Sequence, residues 1–225
     1  MIRTITLKSP RDGFEFTALH AVPDGEAIGG VVVLQEIFGL DAYIHVDVER
    51  WVQAGYEVIA PALFDRYEAG FVAEHDAEGF ARGRNHALSH PLGTALSDIQ
   101  ACIDELHPRG PVFVVGYCYG GSLAWLAAGR CQRLSAAASY YGSLVAENAD
   151  LDLNCPVIIH LGAKDAHIPA DSVAATIRKH HPDVPVHIWE KSGHGFNNEG
   201  RPDSDHGDAV EARRLTRELF AANAG

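Results

Sequence analysis

The sequence contains no long apolar segment and carries little positive charge. Its apolar runs, such as residues 31–34 (VVVL) and 112–115 (VFVV), are far shorter than the ~18–20 residues of a transmembrane helix. The first residues, MIRTITLKSPRDGFEF, lack the continuous apolar segment of a secretion signal. Lys and Arg total 18 against 30 Asp and Glu, a net charge of −12, which repels nucleic acids and anionic lipids. We therefore expect a soluble cytoplasmic protein with no nucleic-acid or membrane partner.

Cysteine is also scarce, and its four positions form no CxxC pair and no zinc-type spacing. In a reducing compartment the expected state is four free thiols. Cys102, Cys131 and Cys155 lie in or beside apolar helix and strand patterns, which favours a structural role. Cys118 differs because it occupies the middle of a glycine-rich turn, GYCYG, between an apolar strand and an apolar helix.

No metal or other cofactor is expected. His86 and His90 are four residues apart, and His180 and His181 are adjacent, but neither pair has accompanying Asp, Glu or Cys at ligand spacing. We interpret them as surface histidines.

The order of secondary-structure patterns predicts one α/β domain that spans residues 1–225. Short β-branched runs alternate with amphipathic helical segments along most of the chain, a pattern typical of a mostly parallel sheet with helices on both faces. Residues 66–92 are rich in charge, glycine and histidine. We expect this stretch to be irregular and to form a covering loop region.

Three strand ends carry residues with catalytic potential. Cys118 follows VFVVG, Asp165 follows VIIHLG, and His194 follows HIWE. In a parallel sheet the functional loops lie at the carboxyl ends of the strands. The chain order of nucleophile, acid and histidine is that of α/β-hydrolases.

The GYCYG turn matches the nucleophile elbow of these enzymes, with Cys118 where serine is usual. Glycines two positions either side leave room for the following helix to approach the strand, and the helix N-terminus favours a thiolate and an oxyanion. Taken singly, each signal has an ordinary explanation: a common glycine turn, Asp165 as a helix cap, and His194 as a loop histidine. The three together favour a catalytic triad.

Several segments resemble the dienelactone hydrolase (carboxymethylenebutenolidase) family: VVVLQEIFGL, GYEVIAPALFDR, GYCYGGSLAW, GAKDAHIP and GHGFNNEGRP. The resemblance implies an α/β-hydrolase fold and a role in the degradation of aromatic compounds. It implies hydrolysis of lactones such as dienelactone, or of small esters, through an acyl-cysteine intermediate. No cofactor is implied.

The resemblance also assigns Glu36 of the QEIFG segment as the acceptor of the Cys118 proton when substrate binds. The ordinary alternative is a surface glutamate at a strand end. The backbone N–H groups of Ile37 and Tyr119 would form the oxyanion hole, and Tyr117 and Phe38 would belong to the substrate pocket.

Two arginines hold the substrate carboxylate in the family. The first matches Arg66 in PALFDRY. The second would stand four residues after the histidine, where this chain has Asn198. Arg201 either reaches the same place or is a solvated loop charge, so dienelactone itself is a less secure substrate than the reaction type.

Two other functions remain open from the sequence. One is a general carboxylesterase or thioesterase with a relaxed acyl pocket, and the other is a non-catalytic small-molecule-binding protein of the same fold. In each case the expected partner is a small molecule, and the protein is a monomer or a small homo-oligomer.

Overall fold

The computed structural model describes residues 1–225, and its centre is one eight-stranded sheet. The strands are β1 (Arg3–Lys8), β2 (Glu15–Ala21), β3 (Gly30–Leu34), β4 (Glu57–Pro61), β5 (Val112–Tyr117), β6 (Ala136–Tyr140), β7 (Val157–Gly162) and β8 (Val186–Trp189). Their order across the sheet is β1-β2-β4-β3-β5-β6-β7-β8. Strand β2 runs antiparallel to both β1 and β4, and all other neighbours are parallel. The α/β fold class expected from the sequence is confirmed.

Six α-helices connect and cover the strands. They are α1 (Ala42–Gln53), α2 (Ala77–Ser89), α3 (Leu92–Leu106), α4 (Tyr119–Arg130), α5 (Ala170–His180) and α6 (His206–Ala222). Helices α1 and α6 meet on one face of the sheet, where the rings of Trp51 and Phe220 stack with centroids 5.2 Å apart. Helices α3 and α4 pack together on the other face. None of these helices combines the length and apolar character required to cross a membrane.

The central strands are buried on both faces because helices cover both sides of the sheet. Every residue of β3, β4, β5, β6 and β7 is buried. This agrees with their mostly apolar sequences, since a strand with only one buried face would alternate polar and apolar residues. The rigid centre places the carboxyl ends of β3, β5, β7 and β8 at one edge.

The expectation of an irregular stretch at residues 66–92 is wrong for its second half. Helix α2 occupies Ala77–Ser89, and the side chain of Asp76 caps its N-terminus by accepting a hydrogen bond from the Gly79 N–H at 2.8 Å. Two glycines and several polar residues weaken the helical signal in the sequence. Tertiary packing therefore determines that this segment is helical.

Candidate active site

Cys118 lies in a strained turn between β5 and α4. Its backbone angles are φ 54° and ψ −109°, a conformation that non-glycine residues adopt only where the surroundings impose it. The Cys118 N–H donates to the Tyr140 carbonyl at 3.0 Å, which ties the turn to β6. Among the four free cysteines, Cys118 alone is partly exposed.

The two glycines of the elbow are required by close backbone contacts. A Cβ atom on Gly116 would lie 1.9 Å from the Gly120 carbonyl oxygen, and one on Gly120 would lie 2.4 Å from the Leu34 carbonyl oxygen. Both distances are far below any contact that carbon and oxygen tolerate. The structure therefore confirms the steric reason that the sequence gives for these glycines.

His194 and Asp165 form a hydrogen-bonded pair beside Cys118. The Asp165 Oδ2 lies 2.7 Å from the His194 Nδ1, so the other ring nitrogen is left for a partner. The Asp165 Oδ1 accepts from the backbone N–H groups of His167 at 2.8 Å and Ile168 at 3.0 Å. All three contacts that orient this carboxylate thus come from its own loop and from His194.

His194 and Asp165 each stabilise the charged form of the other. Burial alone would lower the pKa of His194, but the hydrogen bond to Asp165 and the adjacent Cys118 sulfur outweigh it and raise the pKa to about 10. Burial likewise disfavours the charged form of Asp165, yet the hydrogen bonds that it accepts lower its pKa. An imidazolium beside an ionised carboxylate is therefore a stable arrangement at neutral pH.

Glu36 is buried at the carboxyl end of β3 without a hydrogen bond. Its side chain is 2% exposed, and neither carboxyl oxygen has a hydrogen-bond partner. Burial raises the pKa of Glu36, whereas the Arg201 guanidinium, 3.7 Å away, acts in the opposite direction. Buried polar groups almost always have a hydrogen-bond partner, so a carboxyl group without one at this point is ready to take up a proton or a new partner.

Two backbone N–H groups of cavity residues have no acceptor within the protein. The Ile37 and Tyr119 N–H groups donate no hydrogen bond within the protein, although the neighbouring Gly120 N–H donates to Gln35 O at 3.0 Å. Both residues line the cavity that contains Cys118. Free amides in a cavity beside a thiol can bind a developing negative charge.

These groups open into a cavity of about 500 Å³. Most of its wall is apolar, and three cationic side chains also reach it, those of Arg84, Lys164 and Arg201. The lining residues are Glu36, Ile37, Phe38, Phe80, Arg84, Ala87, Leu88, Leu92, Cys118, Tyr119, Ser122, Ser143, Leu144, Lys164, Ala166, His167, Ile168, His194, Arg201 and Asp203.

The structure does not bring Arg66 to this cavity. The Arg66 guanidinium binds Asp98 through two hydrogen bonds, of 3.0 and 2.8 Å, and binds Asp12 through two more. It also lies 4.4 Å from the centre of the Phe14 ring. The expected substrate contact is corrected, because both of its carboxylate partners belong to the protein itself.

Tyr117 is a second correction. Its side chain points into the core, where the hydroxyl donates to Asp47 Oδ2 at 2.6 Å, and it does not line the cavity. Phe38 does line it and stacks on the His75 ring at 3.9 Å. Arg201 reaches the cavity as well, whereas Asn198 faces a neighbouring depression.

Arg84 and Lys164 are cationic cavity residues that the sequence reasoning missed. The sequence held a signal for Arg84. It lies on α2 at helical spacing from Phe80 and Leu88. This i, i+4, i+8 spacing was the available signal, but it has meaning only if the segment is a helix.

The histidine pairs do not form a metal centre. Across all 225 residues, no group of three or more His, Cys, Asp or Glu side chains is placed to hold an ion. The expectation that His90 lies at the surface is wrong. It is 3% exposed, and its Nδ1 lies 3.1 Å from the Tyr119 hydroxyl, because the end of α2 turns inward against α4.

Comparison with known proteins decides the family. The model of the dienelactone hydrolase family matches residues 16–223. The chain belongs to this family. Membership identifies it as a hydrolase, and the sheet order and the elbow geometry agree with that assignment.

Named relatives extend over nearly the whole chain. A "Putative carboxymethylenebutenolidase" of Yersinia pestis is 30% identical over 227 residues, which covers 90% of this chain and 81% of the relative. A carboxymethylenebutenolidase of Pseudomonas putida is 29% identical over 197 residues and covers 82% of each chain. The solved structure of a "Putative Dienelactone Hydrolase" from Klebsiella pneumoniae has a TM-score of 0.85 at 26% identity and covers 98% of this chain and 99% of its own.

Proposed function

We propose that this hydrolase opens lactones or small esters through an acyl-cysteine intermediate on Cys118. One observation carries the proposal: a strained, partly exposed thiol lies beside a hydrogen-bonded His194–Asp165 pair and two free backbone N–H groups. This arrangement provides a nucleophile, a proton carrier and an anion site within one cavity.

In the first step the Cys118 thiolate attacks the ester carbonyl carbon. The carbonyl oxygen becomes an oxyanion and is bound by the Ile37 and Tyr119 N–H groups, which are unoccupied by internal acceptors. When the C–O bond breaks, the leaving oxygen takes a proton from His194. A pKa raised to about 10 keeps His194 protonated until that moment.

In the second step His194 accepts a proton from water, and the resulting hydroxide attacks the thioester. The C–S bond breaks, the acid product leaves, the sulfur recovers its proton from Glu36, and His194 keeps the proton taken from water for the next cycle. Asp165 keeps the imidazole in the required orientation and stabilises its charged form throughout.

Glu36 assists formation of the thiolate. Its carboxyl group is buried and has no hydrogen bond, and burial raises its pKa, so it is a better proton acceptor than an exposed carboxylate. The family resemblance gives this residue the same task. A substrate carboxylate that binds Arg201 would compete with Glu36 for the guanidinium.

A substrate carboxylate is the natural partner of the cations in the cavity. Arg84 and Arg201 both line it, and charge-assisted hydrogen bonds to arginine are among the stronger polar contacts in proteins. Arg84 thus replaces Arg66 as the proposed first anchor, and Arg201 takes the role for which Asn198 is unsuited.

The decisive experiment compares Cys118→Ala with the wild type on an aryl ester. The variant is expected to lose turnover while its circular dichroism spectrum stays unchanged. In the wild type, mass spectrometry of rapidly quenched samples should show the acyl group on the peptide that contains Cys118. Cys131→Ala is the control, since Cys131 is a buried thiol outside the cavity. An undiminished rate in Cys118→Ala would refute the mechanism.

A further inference from the structure

One face of α2 forms a side of the cavity. Phe80, Arg84, Ala87 and Leu88 all line it, and their i, i+4, i+7, i+8 spacing places them on the same face of a helix. Phe80 is 47% exposed and Leu88 is 71% exposed. Large apolar side chains that stay exposed inside a functional cavity indicate a binding surface.

The position of this face is fixed relative to the reacting groups. A Cβ atom on Gly83 would lie 2.0 Å from the Ile37 carbonyl oxygen, and one on Gly79 would lie 2.0 Å from the Glu74 carbonyl oxygen. The backbone of α2 therefore lies directly on the peptide whose neighbouring N–H is the proposed oxyanion donor. Arg84 is one residue further, about 100° round the helix, so the lining face begins next to the Ile37 peptide.

The apolar surface continues beyond α2. Leu92 at the start of α3, Leu144 after β6 and Ile168 after β7 also line the cavity. Cavities of its size, about 500 Å³, enclose most of the surface of drug-sized ligands. A single lactone ring with one carboxylate would leave much of this apolar wall in contact with water.

We propose that the preferred substrates are esters or lactones of a larger amphiphilic class, with a carboxylate and an apolar alkyl or aryl arm. The arm covers Phe80, Ala87 and Leu88, and the carboxylate binds Arg84 of the same helix together with Arg201. This inference rests on the proposed function, because it takes Cys118 as the point of attack. It goes beyond that function by assigning the α2 face as the selectivity surface.

The test measures kcat/KM for two homologous series of esters at concentrations below aggregation. One series lengthens the acyl chain on a constant aryl leaving group, and the other lengthens the alcohol chain on a constant acid. In one of the two series kcat/KM should rise roughly threefold for each added methylene group, as expected for burial of apolar surface, until the arm extends past Leu88.

Substitutions on α2 test whether this helix causes the gain in kcat/KM per methylene group. Leu88→Ser and Phe80→Ser should each reduce the gain per methylene group to about twofold or less. Val210→Ser is the matched control, because Val210 is a 41% exposed apolar residue on α6 outside the cavity, and it should leave the gain unchanged. A gain that persists in both α2 variants, or that is absent from both series, overturns the inference.

These outcomes remain separate from failure of the proposed function. If Cys118→Ala still hydrolyses the shortest ester, the proposed mechanism fails, and the substrate class that rests on it fails as well, whatever the chain-length series shows. If hydrolysis requires Cys118 but does not increase with chain length in either series, only the amphiphilic substrate class is wrong.

Discussion

The two sides of the cavity are built on different principles. The floor (Cys118, Asp165 and His194) stands on strand ends and is held by backbone contacts that allow almost no displacement, such as the Gly116–Gly120 approach. The roof (Phe80, Arg84 and Leu88) stands on a helix of lower helical propensity and exposes its side chains. We expect the reaction chemistry to depend on the floor and the selectivity on the roof. Floor substitutions should therefore reduce all reactions alike, and roof substitutions should change the ratio between substrates.

Asp165→Asn gives the largest expected effect. The amide cannot stabilise the imidazolium of His194, so kcat should fall on the order of 10³-fold for every ester tested. The pKa of His194, now raised to about 10 in part by Asp165, should decrease, and the pH profile of kcat should shift with it. Asp150→Asn, at an exposed loop position, is the control. A loss confined to one substrate would contradict the assignment of Asp165 to the floor.

Gly83→Ala tests the contact between the two sides. The added Cβ would meet the Ile37 carbonyl oxygen at 2.0 Å, so the Ile37 peptide must move and its N–H would no longer align with the oxyanion. We expect kcat to fall about 10- to 100-fold for all substrates, although alanine favours helix formation.

Gly93→Ala on α3 is the matched control for Gly83→Ala. There the added Cβ meets only the end of the flexible Arg11 side chain, at 3.0 Å. Its kcat should equal that of the wild type. Equal rates in both alanine variants would show that α2 does not position the oxyanion hole.

His90, at the end of α2, links the roof to the core and should make stability depend on pH. Burial lowers the pKa of His90 from 6.5 to about 4. The folded state resists protonation of His90. The stabilisation that neutral His90 adds to the free energy of unfolding is therefore fully present above pH 6.5 and is lost as the pH falls towards 4. Between pH 7.5 and 5.0 this amounts to about 2 kcal/mol in the free energy of unfolding.

His90→Gln should remove this part of the pH dependence. Urea unfolding at the two pH values measures it, with His180→Gln as the exposed control. A wild-type dependence that His90→Gln leaves unchanged would assign the acid sensitivity to other groups.

Arg84→Gln has the smallest expected effect and separates the two sides most sharply. The ratio of kcat/KM for dienelactone to that for an uncharged aryl acetate should fall about tenfold, since one charge-assisted contact is lost. Arg66→Gln is the control, because that guanidinium binds Asp12 and Asp98 outside the cavity. The same fall in ratio for Arg66→Gln would reverse the assignment of the two arginines.

The success of sequence reasoning differs between the same two sides. Cys118, Asp165 and His194 could be predicted to lie together because each follows a strand, and parallel strands carry their carboxyl ends to one edge of a sheet. The glycines at positions 116 and 120 are also local signals, since the turn itself excludes a Cβ atom. By contrast, the family resemblance implies that Arg66 and Tyr117 contact the substrate, and in the structure their side chains point elsewhere.

The sequence by itself determined the α/β fold class, the turn at Cys118 and the order of the candidate catalytic residues along the chain. These depend on short-range properties: apolar strands, tight turns, and the alternation of strand and helix. Only the tertiary structure decided which cations reach the cavity, that Glu36 is left without a hydrogen bond, and that α2 presents Phe80, Arg84 and Leu88 to the cavity. Those features arise where segments distant in the sequence pack together, and the strength of that packing outweighs the weak local preferences of residues 66–92.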